Sequence, residues 1–477
     1  MGMGLLRHTP PFAAPSRLGA WWANIWRWCL FAGGVVFAVY LLLDRAIPNG
    51  AVMASAIAVL VVGVVLTAAE PLAIALMATP AILITERLGA GGVDLTVSDA
   101  ALAAALGAVV LLGKHDYTPP MKAMLWANLG YQFATLFTVI VNPFPQNTVE
   151  WVHAWVLISG ALVVGWAIGR AGHARLALIL ILGAAAVIAA GTFGTALLQA
   201  VSGEPLHAVY PTWPWPMHKN FAGGMLAFAA LIAYVNPPWA KIDPRWMKAG
   251  FVVFLIALLL TQSRQAGIGL AVALLVHTLR RGVRQHIALV VVLAVPAAYL
   301  IVQSVIEQID SQNRFNSFYQ RLDWMREVFA FWKHSPIFGH GLRYWYVSPQ
   351  ANFQPPQAEI EVAASAGIIG LVGFLTMWVV MLVALWRVAP QYGMLAFGLV
   401  LSRIVQAQFD LFWVAAQVSI PFFVAGICLG AQALAHERDP DEKIWAPRQR
   451  RTRRASARPQ IDRALARAGI REKDVSV

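Results

Sequence analysis

Glu361-Val362-Ala363-Ala364-Ser365-Ala366-Gly367-Ile368-Ile369-Gly370-Leu371-Val372-Gly373-Phe374-Leu375-Thr376-Met377-Trp378-Val379-Val380-Met381-Leu382-Val383-Ala384-Leu385-Trp386-Arg387 carries no charge between its two ends. An apolar run of that length reads as a membrane-spanning helix, because a helix satisfies its own backbone N–H and C=O groups where lipid cannot. The signature recurs along the chain and predicts fourteen spans, near 28–43, 51–67, 70–85, 98–113, 124–141, 151–169, 175–199, 221–235, 248–262, 265–279, 287–306, 361–386, 392–408 and 411–434. The second and third are short and separated only by Ala68-Ala69-Glu70, so they read as a kinked or re-entrant pair.

Composition agrees. The chain has 477 residues, 59% hydrophobic and 12% charged, with a mean hydropathy of +0.63. Soluble globular chains carry about a quarter charged residues, so a soluble enzyme is excluded. Cys29 and Cys428 both sit in apolar runs, which excludes a disulfide scaffold and a Cys-rich metal site. The first run follows Trp26-Arg27 without a small-residue cleavage site and reads as a retained helix, not a signal peptide.

The net charge of +13 is mostly topology. With the N-terminus in the cytoplasm, the inner segments hold Lys114, Lys122, Arg170, Arg175, Lys241, Arg245, Lys248, Arg280, Arg281, Arg284 and Arg387, as the positive-inside rule asks. An even number of spans returns the tail to the same side. The expected protein is therefore all-α, polytopic and resident in the cytoplasmic (inner) membrane. Residues 1–27 form a cytoplasmic N-terminus, 28–434 the transmembrane domain, and 435–477 a disordered basic tail. Arg450-Arg451-Thr452-Arg453-Arg454 would hold that tail against anionic lipid. Membrane lipids, not nucleic acid, are the expected partner of this charge.

One outer loop, 307–358, is long. Leu322, Met325, Phe329 and Trp332 recur at helical spacing, so 319–333 reads as an amphipathic helix lying in the outer interface. The loop also holds Arg314, Arg321, Arg326, Lys333 and Arg343. The guanidinium fork matches phosphate oxygens, which makes this a candidate anion site. The plainer reading pairs Arg321 and Arg326 with Asp323 and Glu327 on a solvated face.

Three further groups stand out. Thr261-Gln262-Ser263-Arg264-Gln265-Ala266 is a tight outer turn between two spans, with Arg264 at headgroup depth, where a charge is functional by default or snorkels. His218-Lys219-Asn220 opens a helix, offering a titratable group, a cation and an amide where anions are favoured; equally, Asn220 is an N-cap. Arg403 and Asp410, with Gln406 between them, read as a polar stripe on one helix face, lining a cavity or forming a structural network.

In this order the motifs resemble the O-antigen ligase/O-antigen polymerase superfamily of membrane glycosyltransferases. The elements are His218-x-Asn220, Thr261-x-Ser263-Arg264-x-Ala266, Arg321 with Trp324, Pro336-x-x-Gly339-x-Gly341, Gly367-Ile368-x-Gly370-Leu371 and Phe409-Asp410. The resemblance covers roughly 210–415. It implies a GT-C-like fold with one large ordered extracytoplasmic loop. It also implies transfer of a glycan from a polyprenyl-pyrophosphate donor to an acceptor hydroxyl in cell-surface polysaccharide assembly, the acceptor being a glycan, a glycolipid or another surface molecule. Neither cofactor nor metal is expected, because arginines neutralise the departing pyrophosphate. The donor-binding candidates are Arg264, Arg321, Arg326, Arg343 and Lys219, with Asn220, Arg403 and Asp410 as a polar network.

The chain departs from the pattern at the general base. In ligases of this family a His-Asn pair lies about eleven residues before the Gly-Ile-x-Gly-Leu start; here that position is Pro356-Gln357. A polymerase, or a ligase with another acceptor, fits better than a lipid-A-core ligase. The replacement bases are His340, Glu359, Glu361 and His218. Two other classes remain: a transporter or flippase of lipid-linked sugars, and a non-catalytic member of the same fold. A flippase needs no ordered Arg/Trp loop, and a non-catalytic member needs no base.

Overall fold

The computed structural model describes residues 70–87, 95–113, 115–203, 207–281, 317–348 and 354–446, with isolated positions between 25 and 67. Apart from those positions, the spans expected at 28–43, 51–67 and 287–306 lie outside the described residues, as do Arg314 and the Arg-rich tail. The described chain is helical, and its only β pairing is two isolated bridges, Arg87 with Thr96 and Val388 with Trp445.

In chain order the helices are α1 (Ala73–Ala81), α2 (Val97–Leu112), α3 (Pro119–Val141), α4 (Pro145–Trp155), α5 (Ala161–Arg170), α6 (Ala174–Val201), α7 (Lys219–Val235), α8 (Pro244–Thr261), α9 (Arg264–Arg281), α10 (Ser317–His334), α11 (Tyr344–Val347), α12 (Ala358–Arg387), α13 (Pro390–Ala407) and α14 (Ala415–Arg438). A π turn, Val156–Gly160, joins α4 to α5. Among the described residues six helices are long and apolar enough to cross a membrane: α3, α4 continued through α5, α6, α8, α12 and α14. Helices α2 and α7 are apolar but shorter. The span expected at 70–85 is the nine-residue α1, with Pro80 near its end; at 1.5 Å per residue it reaches about 14 Å, half of a crossing.

Sequence explains the ends. Thr96 and Asp99 form a reciprocal capping box on α2, satisfying two orphan N–H groups. Proline stands at the first helical position of α3, α4, α8 and α13, where its missing N–H costs nothing. Helix α7 is apolar on every side and buried from Phe221 to Ala233, as a helix without a polar face must be. It is the centre of the bundle, with α6, α8, α9, α13 and α14 around it.

The closest packing is between α5 and α14. A Cβ on Gly165 would lie 2.0 Å from the Phe423 carbonyl oxygen, and one on Gly169 2.3 Å from that of Ile427. Reciprocally, a Cβ on Gly426 would lie 2.3 Å from the Leu162 oxygen and one on Gly430 2.3 Å from that of Trp166. Two Gly-x-x-x-Gly faces thus meet backbone to backbone, the packing that replaces the hydrophobic effect where the solvent is itself apolar.

Helix α12 is broken at Gly367, whose φ of 65° is left-handed. The segment 336–341 lies against the break. Ile368 N donates to Pro336 O (2.9 Å), His340 N to Ala364 O (3.0 Å) and Gly341 N to Ser365 O (2.9 Å). The kink frees carbonyls and N–H groups, and the loop takes them up. A Cβ on Gly367 would sit 2.1 Å from the Ile337 oxygen, so only glycine fits there.

Candidate functional site

The site grows from the contact between α7 and the turn 261–265. A Cβ on Gly223 would meet Ser263 Cβ at 2.4 Å and Thr261 Oγ1 at 3.0 Å, so the bare glycine face admits the turn. Thr261 Oγ1 donates to Leu258 O (2.7 Å) and accepts from Ser263 N (3.3 Å). Gln262 takes the left-handed conformation, φ 51°, which reverses the chain and leaves Arg264 exposed at the start of α9. Ser263 Oγ donates to Asn220 Oδ1 (3.5 Å). Exposed His218 caps α7, accepting at Nδ1 from Asn220 N (3.2 Å), with its ring edge-on to Tyr210. Lys219 Nζ lies 5.9 Å from the same tyrosine ring.

The loop between α13 and α14 closes this group. Gln265 Nε2 donates to Asp410 Oδ2 at 2.6 Å. Arg403 is fully buried. Its guanidinium donates to Gln417 Oε1 (3.1 Å), to Leu411 O (2.8 Å) and to Phe412 O. Gln417 Nε2 in turn donates to Asn220 O (3.0 Å). The expected helical stripe from Arg403 to Asp410 is therefore corrected. Helix α13 ends at Ala407, because Arg403 takes the next carbonyls and folds the chain back, leaving Asp410 in the loop. Gln406, still on α13, donates to Ser402 Oγ (3.2 Å).

A groove of about 250 Å³ runs beside this loop, lined by Trp324 and Val328 of α10, Pro356, Gln357 and Ile360 at the start of α12, and Gln408. Gln408 Nε2 also donates to Glu359 Oε1 (2.7 Å). Glu359 Oε2 is buried with no hydrogen-bond partner among the described residues. A carboxylate with a free oxygen thus stands next to Pro356-Gln357.

The remaining candidates sit elsewhere. His340 donates from Nε2 to Phe331 O (2.7 Å) and stacks near Tyr344, tying the 336–341 loop to α10. Arg343 pairs with Glu150 at 3.1 Å and lies 3.8 Å from the Tyr346 ring centre. Arg326 makes an exposed pair with Asp323 at 3.3 Å, the plainer of its two readings. Arg321 lies on α10, its side chain outside the described residues. Glu361 is buried, accepts from Gln354 Nε2 (2.8 Å) and faces a small interior cavity with Gln132 and Glu150. Tyr346 donates to Gln354 Oε1 (2.5 Å); burial, then the Glu361 carboxylate, pushes its hydroxyl up to about 12, so it remains a donor.

Sequence reading missed Glu150, His153, Asp99, Gln408 and Gln417. Each lies in or beside an apolar helix, and a polar residue there is itself the signal.

These elements define a multi-spanning integral membrane protein with a polar site where several helix ends meet. Residues 249–375 match the family model described as O-antigen ligase, which places this segment in the O-antigen ligase/polymerase superfamily. The match takes in the 261–266 turn, α10, the 336–341 loop and the kink at Gly367, but not 218–220 or 403–410. Members of the family are glycosyltransferase-like enzymes. No curated protein sequence matches the chain.

Proposed function

We propose that the protein transfers a glycan from a polyprenyl-pyrophosphate donor to an acceptor hydroxyl at the outer face of the cytoplasmic membrane. One observation carries this reading: exposed Arg264 and half-buried Glu359 are joined through Gln265, the 408–410 loop and Gln408, beside an apolar groove. The cation suits a pyrophosphate and the carboxylate a hydroxyl. The acceptor oxygen attacks the anomeric carbon and its proton passes to Glu359. The bond from that carbon to the pyrophosphate breaks, and the leaving charge falls to Arg264 at the start of α9, where the helix end adds its own positive potential.

Lys219 and Arg321 are the further cations of this reading, and His218 the alternative base. His340 and Arg343, both engaged in holding the 336–348 segment, are assigned to positioning, and Arg326 to its pair with Asp323. An orientation with the 207–220 segment, the 261–265 turn and the 408–410 loop outside completes the proposal, since it puts the site on the donor's side.

The test is transfer by the purified full-length protein in lipid, given a polyprenyl-pyrophosphate oligosaccharide and candidate acceptors. Acceptor-dependent release of polyprenyl pyrophosphate, lowered at least about tenfold in Arg264→Ala, supports the reading. Translocation of intact donor without bond cleavage supports a flippase instead and overturns it.

A further inference from the structure

The interior cavity beside Glu361 is separate from the groove and serves no step above. It measures about 20 Å³ and is lined by residues of α3, α4, α11, α12 and the neighbouring loops, among them Gln132, Thr135, Glu150, Ser365 and Glu361. That volume holds one water-sized guest. Two of its side chains are buried with an oxygen left over. Gln132 is 0% exposed and Glu361 4% exposed, and neither Gln132 Oε1 nor Glu361 Oε2 has a hydrogen-bond partner among the described residues. Both are acceptors, so what completes them is a donor or a cation.

Charge decides between these. His153 Nε2 lies 2.9 Å from Asp99 Oδ1 and its Nδ1 lies 3.6 Å from Glu150 Oε1. A ring with a carboxylate beside each nitrogen, one hydrogen-bonded and one at ion-pair distance, is favoured as the imidazolium. Arg343 takes the other oxygen of Glu150 at 3.1 Å. Asp99 and Glu150 are thus balanced by His153 and Arg343, and Glu361 is the one carboxylate of the cavity without a cation of its own, so it holds a proton there or exchanges it for a cation. Arg403 is taken up by Gln417 Oε1 and the carbonyls of Leu411 and Phe412. Tyr346, beside the cavity, is neutral.

We propose that this cavity binds one monovalent cation of sodium size, held by Glu361 Oε2 and Gln132 Oε1. The donor set is all oxygen, which suits a hard cation. Exchange of one proton on Glu361 for one cation of single charge keeps the cavity neutral. Among the described residues no group of three His, Cys, Asp or Glu is placed to hold a metal ion, which argues against a divalent ion. The cation joins α3 to the short segment of α12 before Gly367, the segment that presents Glu359 to the groove.

The experiment is thermal unfolding of the full-length protein in detergent, titrated with sodium chloride against N-methylglucamine chloride at constant ionic strength and pH. Radioactive sodium binding is measured in parallel on the wild type. Expected are saturable sodium binding and a saturable rise of about 2–4 °C in melting temperature, absent in Glu361→Gln and reduced in Gln132→Leu. Equal melting in the two salts, with no saturable sodium binding, overturns the proposal and leaves the cavity to a proton or a water. The binding measurement does not depend on glycan transfer, so it stands or falls apart from the transferase reading, and on the wild type it is independent of whether the variants fold.

Discussion

Gln265 and Asp410, 145 residues apart in sequence, meet through a 2.6 Å hydrogen bond from Nε2 to Oδ2. The bond fixes the turn that presents Arg264 against the loop that carries Gln408. Replacing Asp410 by Ala leaves a buried amide unpaired, which costs roughly 1–3 kcal/mol. Removing both partners costs less than the sum, with a coupling of about 0.5–3 kcal/mol. A double-mutant cycle with Gln265→Leu, read by thermal unfolding in sodium-containing buffer, checks this; strict additivity refutes the contact.

Arg264 is exposed, so its loss falls on the reaction rather than the fold. Arg264→Ala should lower transfer by about ten- to a hundredfold, the worth of a charge-assisted contact to phosphate, with unchanged melting temperature. Arg264→Lys should recover part, since it keeps the charge and loses the fork. Full activity in both variants, at normal expression, rules out the proposed pyrophosphate contact.

Glu359 and His340 should separate cleanly. Glu359→Gln keeps an acceptor for Gln408 but cannot take a proton, and should slow transfer by roughly 10²–10⁴ while donor still binds. His340→Ala should instead lower stability by about 1 kcal/mol through the lost bond to Phe331 O, with kcat retained in the folded fraction. The reverse pattern would move the base to His340.

Gly367→Ala forces a Cβ into the Ile337 carbonyl and into a left-handed backbone, a strain of at least 1–3 kcal/mol. The 336–341 loop must then leave the kink. Limited proteolysis should cut within 335–348 faster than in wild type; unchanged protection would mean the loop is held otherwise.

Hydropathy made most of the helices legible, because a bilayer leaves the backbone one solution. Tight packing was legible in principle: Gly165 and Gly169, like Gly426 and Gly430, stand four apart, and their meaning depends only on spacing. What periodicity could not reveal was where a helix stops. Arg403 to Asp410 looked like two turns of one face, yet Arg403 ends α13 by binding the carbonyls of Leu411 and Phe412. That bond depends on a partner segment's direction, which no local pattern encodes. The motif residues of the turn and of α7 were readable from type and order. Their convergence was not, and neither was the pairing of Glu150 with Arg343, 193 residues apart, since charges in separate segments carry no record of which will meet.

The seam between α5 and α14 also sets an order of events. Helix α5 leaves the ribosome about 245 residues before α14 begins, and its glycine face has no close partner until α14 arrives. Until then that groove is open to lipid or to any passing small-residue face. Synthesis interrupted before Ala415 strands the early half of the bundle with its tightest joint unmade. Helix α14 thus acts as a latch: a chain that has made it differs from one that has not by whether that seam is shut.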